Sequence, residues 1–239
     1  MTSNNDSNNT SRLSASDDLE VSAYLEISQE KAGNSSKREI ADNPQRESVI
    51  VIDFGSQYSR LIARRIRESK VYCEIVTHDV DWDHVKSLNP KGIVLSGGPA
   101  SVYDEDAPLA PAWVFDCGLP VLGICYGMQL MAHQLGGTVL PAAEREFGHA
   151  ILNQNSGSNL LFSELPDSLP VWMSHADEVT KLPKNFKVIA KSSNSKLCIV
   201  ENTKKNLYGI QFHPEVTHTN KGKIILKNFV FDICKIKKN

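Results

Sequence analysis

The run Val49-Ile50-Val51-Ile52 constrains this chain more than any other feature. Four consecutive β-branched residues with no polar alternate do not suit a strand with one wet face. They call for a strand covered on both sides. The segments that follow obey the same logic. Tyr58 to Glu68 places Leu61, Ile62 and Ile66 at helical spacing between arginines. Val71 to Val76 reads as a second strand and Asp81 to Leu88 as a second, short helix. Gly92-Ile93-Val94-Leu95-Ser96 is a third strand, running into Gly97-Gly98-Pro99. Val121 to Ile124 is a fourth, and it enters a helix of about ten residues that stops at Gly136-Gly137. Strands alternating with helices imply right-handed crossovers. The expected fold class is therefore α/β, a mostly parallel central sheet with helices on both faces. Beyond Phe147 the pattern is shorter, more broken and strand-rich up to Gln211. Lys221 to Lys235 then reads as an amphipathic helix, and no internal repeat is visible.

Residues 1–46 differ in kind. MTSNNDSNNTSRLSASDD is rich in Ser, Asn and Asp, and apart from a short mixed stretch at Leu19 to Ile27 the segment keeps linker composition. It offers too little apolar surface to offset its ordering entropy, which predicts a disordered extension before a single domain at residues 47–237. A chain of 239 residues, 41% of them hydrophobic, is ample for one core. A net charge of −2 argues against a nucleic-acid surface. The longest apolar runs, such as Leu119 to Cys125, fall far short of the ~20 residues that cross a bilayer, so no membrane partner is expected. No arginine-led apolar segment opens the chain as a secretory signal would. Five cysteines without a C-x-x-C pair fit neither a disulfide framework nor a zinc ribbon. The expectation is a cytoplasmic protein with no metal.

The sharpest chemical signal is Gly123-Ile124-Cys125-Tyr126-Gly127, a G-x-C-x-G turn between a buried strand and a helix. It is the cysteine form of a nucleophile elbow, in which glycines allow a turn that lifts the nucleophile above the sheet edge. The helix that follows points its N-terminus at the sulfur and favours the thiolate, and the Tyr126 N–H lies where it can meet an oxyanion. The competing reading, a small buried core cysteine, fits Cys73, Cys117, Cys198 and Cys234 better. A cysteine nucleophile needs a base, and the base an orienting group. His213-Pro214-Glu215 supplies both: Pro214 keeps His213 out of the α region, and residues two apart in extended chain project to one side. Leu95-Ser96-Gly97-Gly98-Pro99 adds a strand-to-turn where glycines turn N–H groups toward an anion. No nucleotide-phosphate loop of either common pattern is present. Asp53-Phe54-Gly55 resembles a kinase fragment without its companions, and Asp53 is better read as a strand-end turn residue.

Together these residues resemble a class I (triad-type) glutamine amidotransferase domain, over about Ser48 to Lys235. Within that superfamily Asp53-Phe54-Gly55-Ser56-Gln57-Tyr58, Cys125-Tyr126-Gly127-Met128-Gln129 and His213-Pro214-Glu215-Val216-Thr217-His218-Thr219 are similar to the GMP synthase branch, as are Glu144-Arg145-Glu146-Phe147-Gly148 and Trp172-Met173-Ser174-His175. The resemblance implies a flavodoxin-like sheet, with Cys125, His213 and Glu215 as catalytic triad acting on L-glutamine. It implies an oxyanion hole from the N–H groups of Gly98 and Tyr126. Gln129, Ser174 and His175 would hold the glutamine's α-amino and α-carboxylate groups. It implies no cofactor on this chain, with ATP and Mg²⁺ on a GMP synthetase ATP-pyrophosphatase partner that aminates XMP. Such enzymes continue into that synthetase domain when both activities share a chain. Here the resemblance implies the glutaminase subunit of a split enzyme or a truncated bifunctional gene. The alternatives are an amidotransferase for another acceptor, a stand-alone glutaminase, and a silent regulatory domain. The family reads S-H-G-D where this chain has Ser174-His175-Ala176-Asp177. If that position needs a positive φ, Ala176 strains the loop by about 1 kcal/mol.

Overall fold

The computed structural model describes residues 46–155 and 159–237. The extension expected to be disordered lies outside the described residues, except for Arg46. The first half alternates β1 (Ser48–Asp53), α1 (Ser59–Glu68), β2 (Tyr72–Thr77), α2 (Trp82–Ser87), β3 (Pro90–Leu95), β4 (Val121–Ile124) and α3 (Tyr126–Gln134). The second half adds β5 (Thr138–Gln154), β6 (Ser168–Lys181), β7 (Lys187–Lys191), β8 (Ile199–Asn202), β9 (Leu207–Ile210) and α4 (Gly222–Lys227). Among the described residues the strands form one sheet in the order β2-β1-β3-β4-β9-β8-β7-β5-β6. From β2 to β9 every pairing is parallel. From β9 to β6 every pairing is antiparallel. The flavodoxin-like half is thus extended by an antiparallel half that the broken pattern after Phe147 foreshadowed only as strand-rich.

The run that opens β1 behaves as its composition demands. Val49 and Val51 pack on one face against Ile62 and Ile66 of α1 and Phe229 near the C-terminus. Ile50 and Ile52 pack on the other, against Val85 of α2 and Met128 and Met131 of α3. All four are fully buried, each stabilising the fold by roughly 1.5–3 kcal/mol. Helices therefore cover both faces of the parallel half. The helix α3 lies between sheet and loops with Tyr126 to Ala132 all buried. It ends where the paired glycines stand: the Gly136 N–H donates to the His133 carbonyl and the Gly137 N–H to that of Ala132. With Gly136 at φ 88° this is a Schellman closure.

Two features position the site. First, β9 pairs with β4 so that Ile210 faces Ile124, and the Cys125 N–H donates to the Ile210 carbonyl at 2.8 Å. The ends of two neighbouring strands thereby deliver Cys125 and the chain leading to His213 to one sheet edge. Second, β5 and β6 form a long antiparallel ribbon whose register shifts between Pro141 and Glu146. Its inner face, with Leu152, Val171 and Met173, is buried in the core. The C-terminal segment departs from a continuous α-helix: after α4, Asn228–Ile233 is a π-helix. The Cys234 N–H reaches back five residues to the Phe229 carbonyl. The wider turn seats Phe229, Val230, Ile233 and Cys234 in the core together. No helix among the described residues is long and apolar enough to cross a membrane.

Candidate active site

Cys125 occupies the turn between β4 and α3 at φ 52° and ψ −107°. A side chain with a Cβ is rarely found there, and holding it costs about 1–3 kcal/mol. The strain is imposed from both sides. A Cβ at Gly123 would lie 2.5 Å from the Gly127 carbonyl oxygen, and one at Gly127 would collide with the Leu95 carbonyl. Only glycines at these two positions let the helix start directly above β3 and β4. The Met128 and Gln129 N–H groups both donate to the Cys125 carbonyl, at 3.0 and 3.1 Å. The Cys125 thiol is 3.5 Å from the Ser174 carbonyl of β6 and 3.7 Å from the Gln211 amide nitrogen.

His213 follows β9 by three residues, in irregular chain rather than in the strand itself. The geometry expected of extended chain nevertheless holds, because the imidazole Nδ1 lies 2.7 Å from Glu215 Oε1. The loop is pinned to β6: the His213 N–H donates to the Trp172 carbonyl. Thr219 Oγ1 donates to the His213 carbonyl and accepts from the Trp172 N–H. Arg65 of α1 donates to the Glu215 carbonyl at 3.0 Å. The Tyr58 ring stands edge-on to the imidazole at 5.4 Å. Burial alone opposes charge on His213, but the attraction of the Glu215 carboxylate and of Cys125, with the hydrogen bond to Glu215, outweighs it. The imidazole is held well above its ordinary range. Glu215 is almost wholly buried, and its Oε2 has no hydrogen-bond partner among the described residues. That leaves the carboxylate's charge directed largely at His213.

The remaining expected residues lie around this centre. Gly98 stands beside Tyr126, where a Cβ would come within 3.1 Å of the ring and 3.0 Å of the Phe54 carbonyl. The Tyr126 N–H opens α3 and so has no partner within its own helix. Gln129 is not solvated. It is buried, and its amide donates to the Asp177 carbonyl at 2.8 Å and lies 3.4 Å from Gln211 Oε1. His175 is buried with both ring nitrogens engaged, one on the Asp177 carbonyl and one on Glu146 Oε2, each at 3.0 Å. A carbonyl and a carboxylate both accept, so the imidazole donates to at least one of them. Ser174 meets the site through its backbone carbonyl. Ala176 is absent from the positive-φ residues of the described chain. It lies in β6, where any residue fits, and the strain expected of it does not arise.

Several site residues had no local signal. Gln211 lies against the Cys125 sulfur only because β9 pairs with β4. Glu146 holds His175, and next to it Ser101 Oγ and the exposed Tyr103 OH donate to the Asp177 carboxylate at 2.5 and 2.8 Å. Asp53 is the turn residue expected, accepting from the Gly55 and Ser56 N–H groups and the Ser59 hydroxyl. It thereby fixes Ser56, whose hydroxyl flanks Gly97 beside His213.

The family model for glutamine amidotransferase class I matches residues 50–233. A glutamine-hydrolysing GMP synthase of Dehalococcoides mccartyi is 53% identical over 218 residues, covering 90% of this chain and 40% of the relative. One from Thermomicrobium roseum is 53% identical over 192 residues, covering 80% of this chain and 36% of its own. The chain thus spans about two-fifths of the length of these curated relatives. The crystal structure of a Thermoplasma acidophilum protein, provisionally described as one subunit of a GMP synthase, superposes with a TM-score of 0.73 at 34% identity. That match covers 80% of this chain and 94% of the other.

Proposed function

This chain belongs to the class I glutamine amidotransferases, and we propose that it hydrolyses L-glutamine to supply ammonia for the amination of XMP to GMP. The observation that carries the reading is one buried imidazole, His213, bonded through Nδ1 to Glu215 and drawn electrostatically to Cys125, the residue held strained at the elbow. The identity to glutamine-hydrolysing GMP synthases supports the acceptor.

The chemistry runs on this chain's own groups. The Cys125 thiolate attacks the side-chain amide carbon of glutamine, and the oxygen gains the charge. The N–H groups of Gly98 and Tyr126 receive it, directed at the charge as it develops. His213, kept cationic by Glu215, gives its proton to the departing nitrogen, so that ammonia leaves and a γ-glutamyl thioester remains. Water then attacks the thioester carbon while His213 takes its proton. Collapse releases glutamate and restores the thiolate. Gln129 and His175 act on the substrate through β6, since both hold the Asp177 carbonyl, and the Ser174 carbonyl limits where the sulfur points. ATP and Mg²⁺ act on the synthetase, which consumes the ammonia. The free cysteines suit the cytosol, where we place the reaction.

The test is glutamate release from glutamine by the purified chain, alone and with an XMP-aminating synthetase, ATP, Mg²⁺ and XMP. Release that rises with the loaded synthetase, and GMP formed from glutamine, is the expected result. Steady release indifferent to the synthetase would point to a stand-alone glutaminase or another acceptor.

A further inference from the structure

The mechanism leaves the outer face of the β5–β6 ribbon unused. Phe147, His149 and Ile151 alternate along β5 and are all exposed, Phe147 by 65% and Ile151 by 49%. Across the ribbon they sit opposite Ser174, Trp172 and Pro170, and residues directly opposite project to the same side. The Trp172 ring lies 5.2 Å from that of His149 and 4.6 Å from that of His218. One exposed apolar side chain is ordinary. Two on one strand face, flanking a cluster of aromatic rings, have the composition of a docking surface.

Its place matters more than its composition. The backbone behind this face shapes the site: the Ser174 carbonyl meets the Cys125 thiol, and Trp172 holds both His213 and Thr219. An occupant of the face therefore rests on the strand that sets the triad. Ammonia released at Cys125 takes a proton from water and ceases to be a nucleophile unless its acceptor seals the mouth of the site. The relatives carry about three-fifths of their length beyond the part matched by this chain, and that remainder has to meet the domain somewhere.

We propose that Phe147, His149, Ile151 and Trp172 form the face that docks the ATP-dependent synthetase of GMP synthesis through an apolar patch on it, an inference that rests on the function proposed above. Docking there presses on β6 and couples occupancy of the synthetase to the geometry at Cys125.

The experiment uses the full chain and the purified XMP-aminating synthetase loaded with ATP, Mg²⁺ and XMP. It compares wild type, Phe147→Glu/Ile151→Glu, the gentler Phe147→Ala, and the control Leu160→Glu at an exposed site off the ribbon. Calorimetric titration reads binding, and GMP production is followed with glutamine and with added ammonium. The double variant keeps unstimulated glutamate release within twofold and binds the synthetase at least tenfold more weakly. It loses GMP from glutamine and keeps GMP from ammonium. Phe147→Ala moves the same way by less, and Leu160→Glu does not move. A wild type that binds and feeds the synthetase, with a double variant that does so equally well, overturns the docking face alone. A double variant that loses only self-association assigns the face to a second copy and overturns it too. A wild type that neither binds nor feeds the synthetase overturns the proposed function and the docking face together.

Discussion

Replacing Glu215 with Gln removes one charge at nearly constant shape. Glu215 Oε1 lies 2.7 Å from His213 Nδ1 in a buried site, which puts the charge centres about 4 Å apart. At an effective dielectric of about 20 that attraction is about 4 kcal/mol. The amide oxygen of Gln still accepts from Nδ1 and recovers about 1 kcal/mol. A net loss of about 3 kcal/mol falls on states with a charged imidazole, or roughly a hundredfold in kcat/KM. The new amide also puts N–H donors where the unpartnered Oε2 stood, costing about 1–3 kcal/mol of stability. The sign with pH follows from the raised His213 value. Its charge stabilises the fold fully below the unfolded value of about 6.5, and that contribution is lost as pH rises through the raised value. The variant should lack this alkaline loss, and its imidazole should titrate lower. Initial rates of glutamate release from pH 6 to 9, imidazole proton NMR and thermal melts read all three. A variant with kcat/KM within threefold of wild type and an unmoved imidazole titration would refute the reasoning.

Three further substitutions follow from the elbow and its surroundings. Cys125→Gly should abolish glutamate release while leaving Tm equal or raised by a few degrees, because it relieves about 1–3 kcal/mol of backbone strain; a Tm more than 5 °C lower in calorimetry contradicts this. Gly127→Ala should cost at least about 1–3 kcal/mol and most of the activity, since its Cβ meets the Leu95 carbonyl rather than a side chain that can yield; unchanged melting and rate would mean the helix start is not held there. Ala176→Gly should leave the rate within twofold and lower stability by about 0.5–1 kcal/mol, as glycine does inside a strand; a tenfold gain in rate would show that the position does require glycine.

What could be read from the chain divides by distance along it. The β1 run announced its two-sided burial because each of its four residues carries that information itself. The elbow was legible because its glycines and cysteine are contiguous, and His213 with Glu215 because they are two residues apart. The segments around Glu146, His175 and Asp177 stood out only through the family resemblance, and their bonding, with Ser101 and Tyr103, had no local signal because the members meet only when the β5–β6 ribbon crosses the loop after β3. Gln129 shows the same limit. One turn into its helix it carries the expectation of a substrate contact, and its hydrogen bond to the Asp177 carbonyl of a distant strand had no local signal. The strain expected of Ala176 came from its neighbours' motif, not from a backbone angle, and β6 supplies an ordinary one. The π turn at Asn228–Ile233 has no compositional mark, since the same apolar residues serve an α-helix equally well.

The central claim is that the Cys125 sulfur becomes acylated by glutamine. It is tested most directly by mixing the chain with carbon-labelled glutamine, quenching in acid within a turnover, and sequencing the labelled peptide by mass spectrometry. Label is expected on the peptide containing Cys125, discharged by hydroxylamine and missing from Cys125→Gly. Label on another residue, or glutamate formed at full rate by Cys125→Gly, would contradict it.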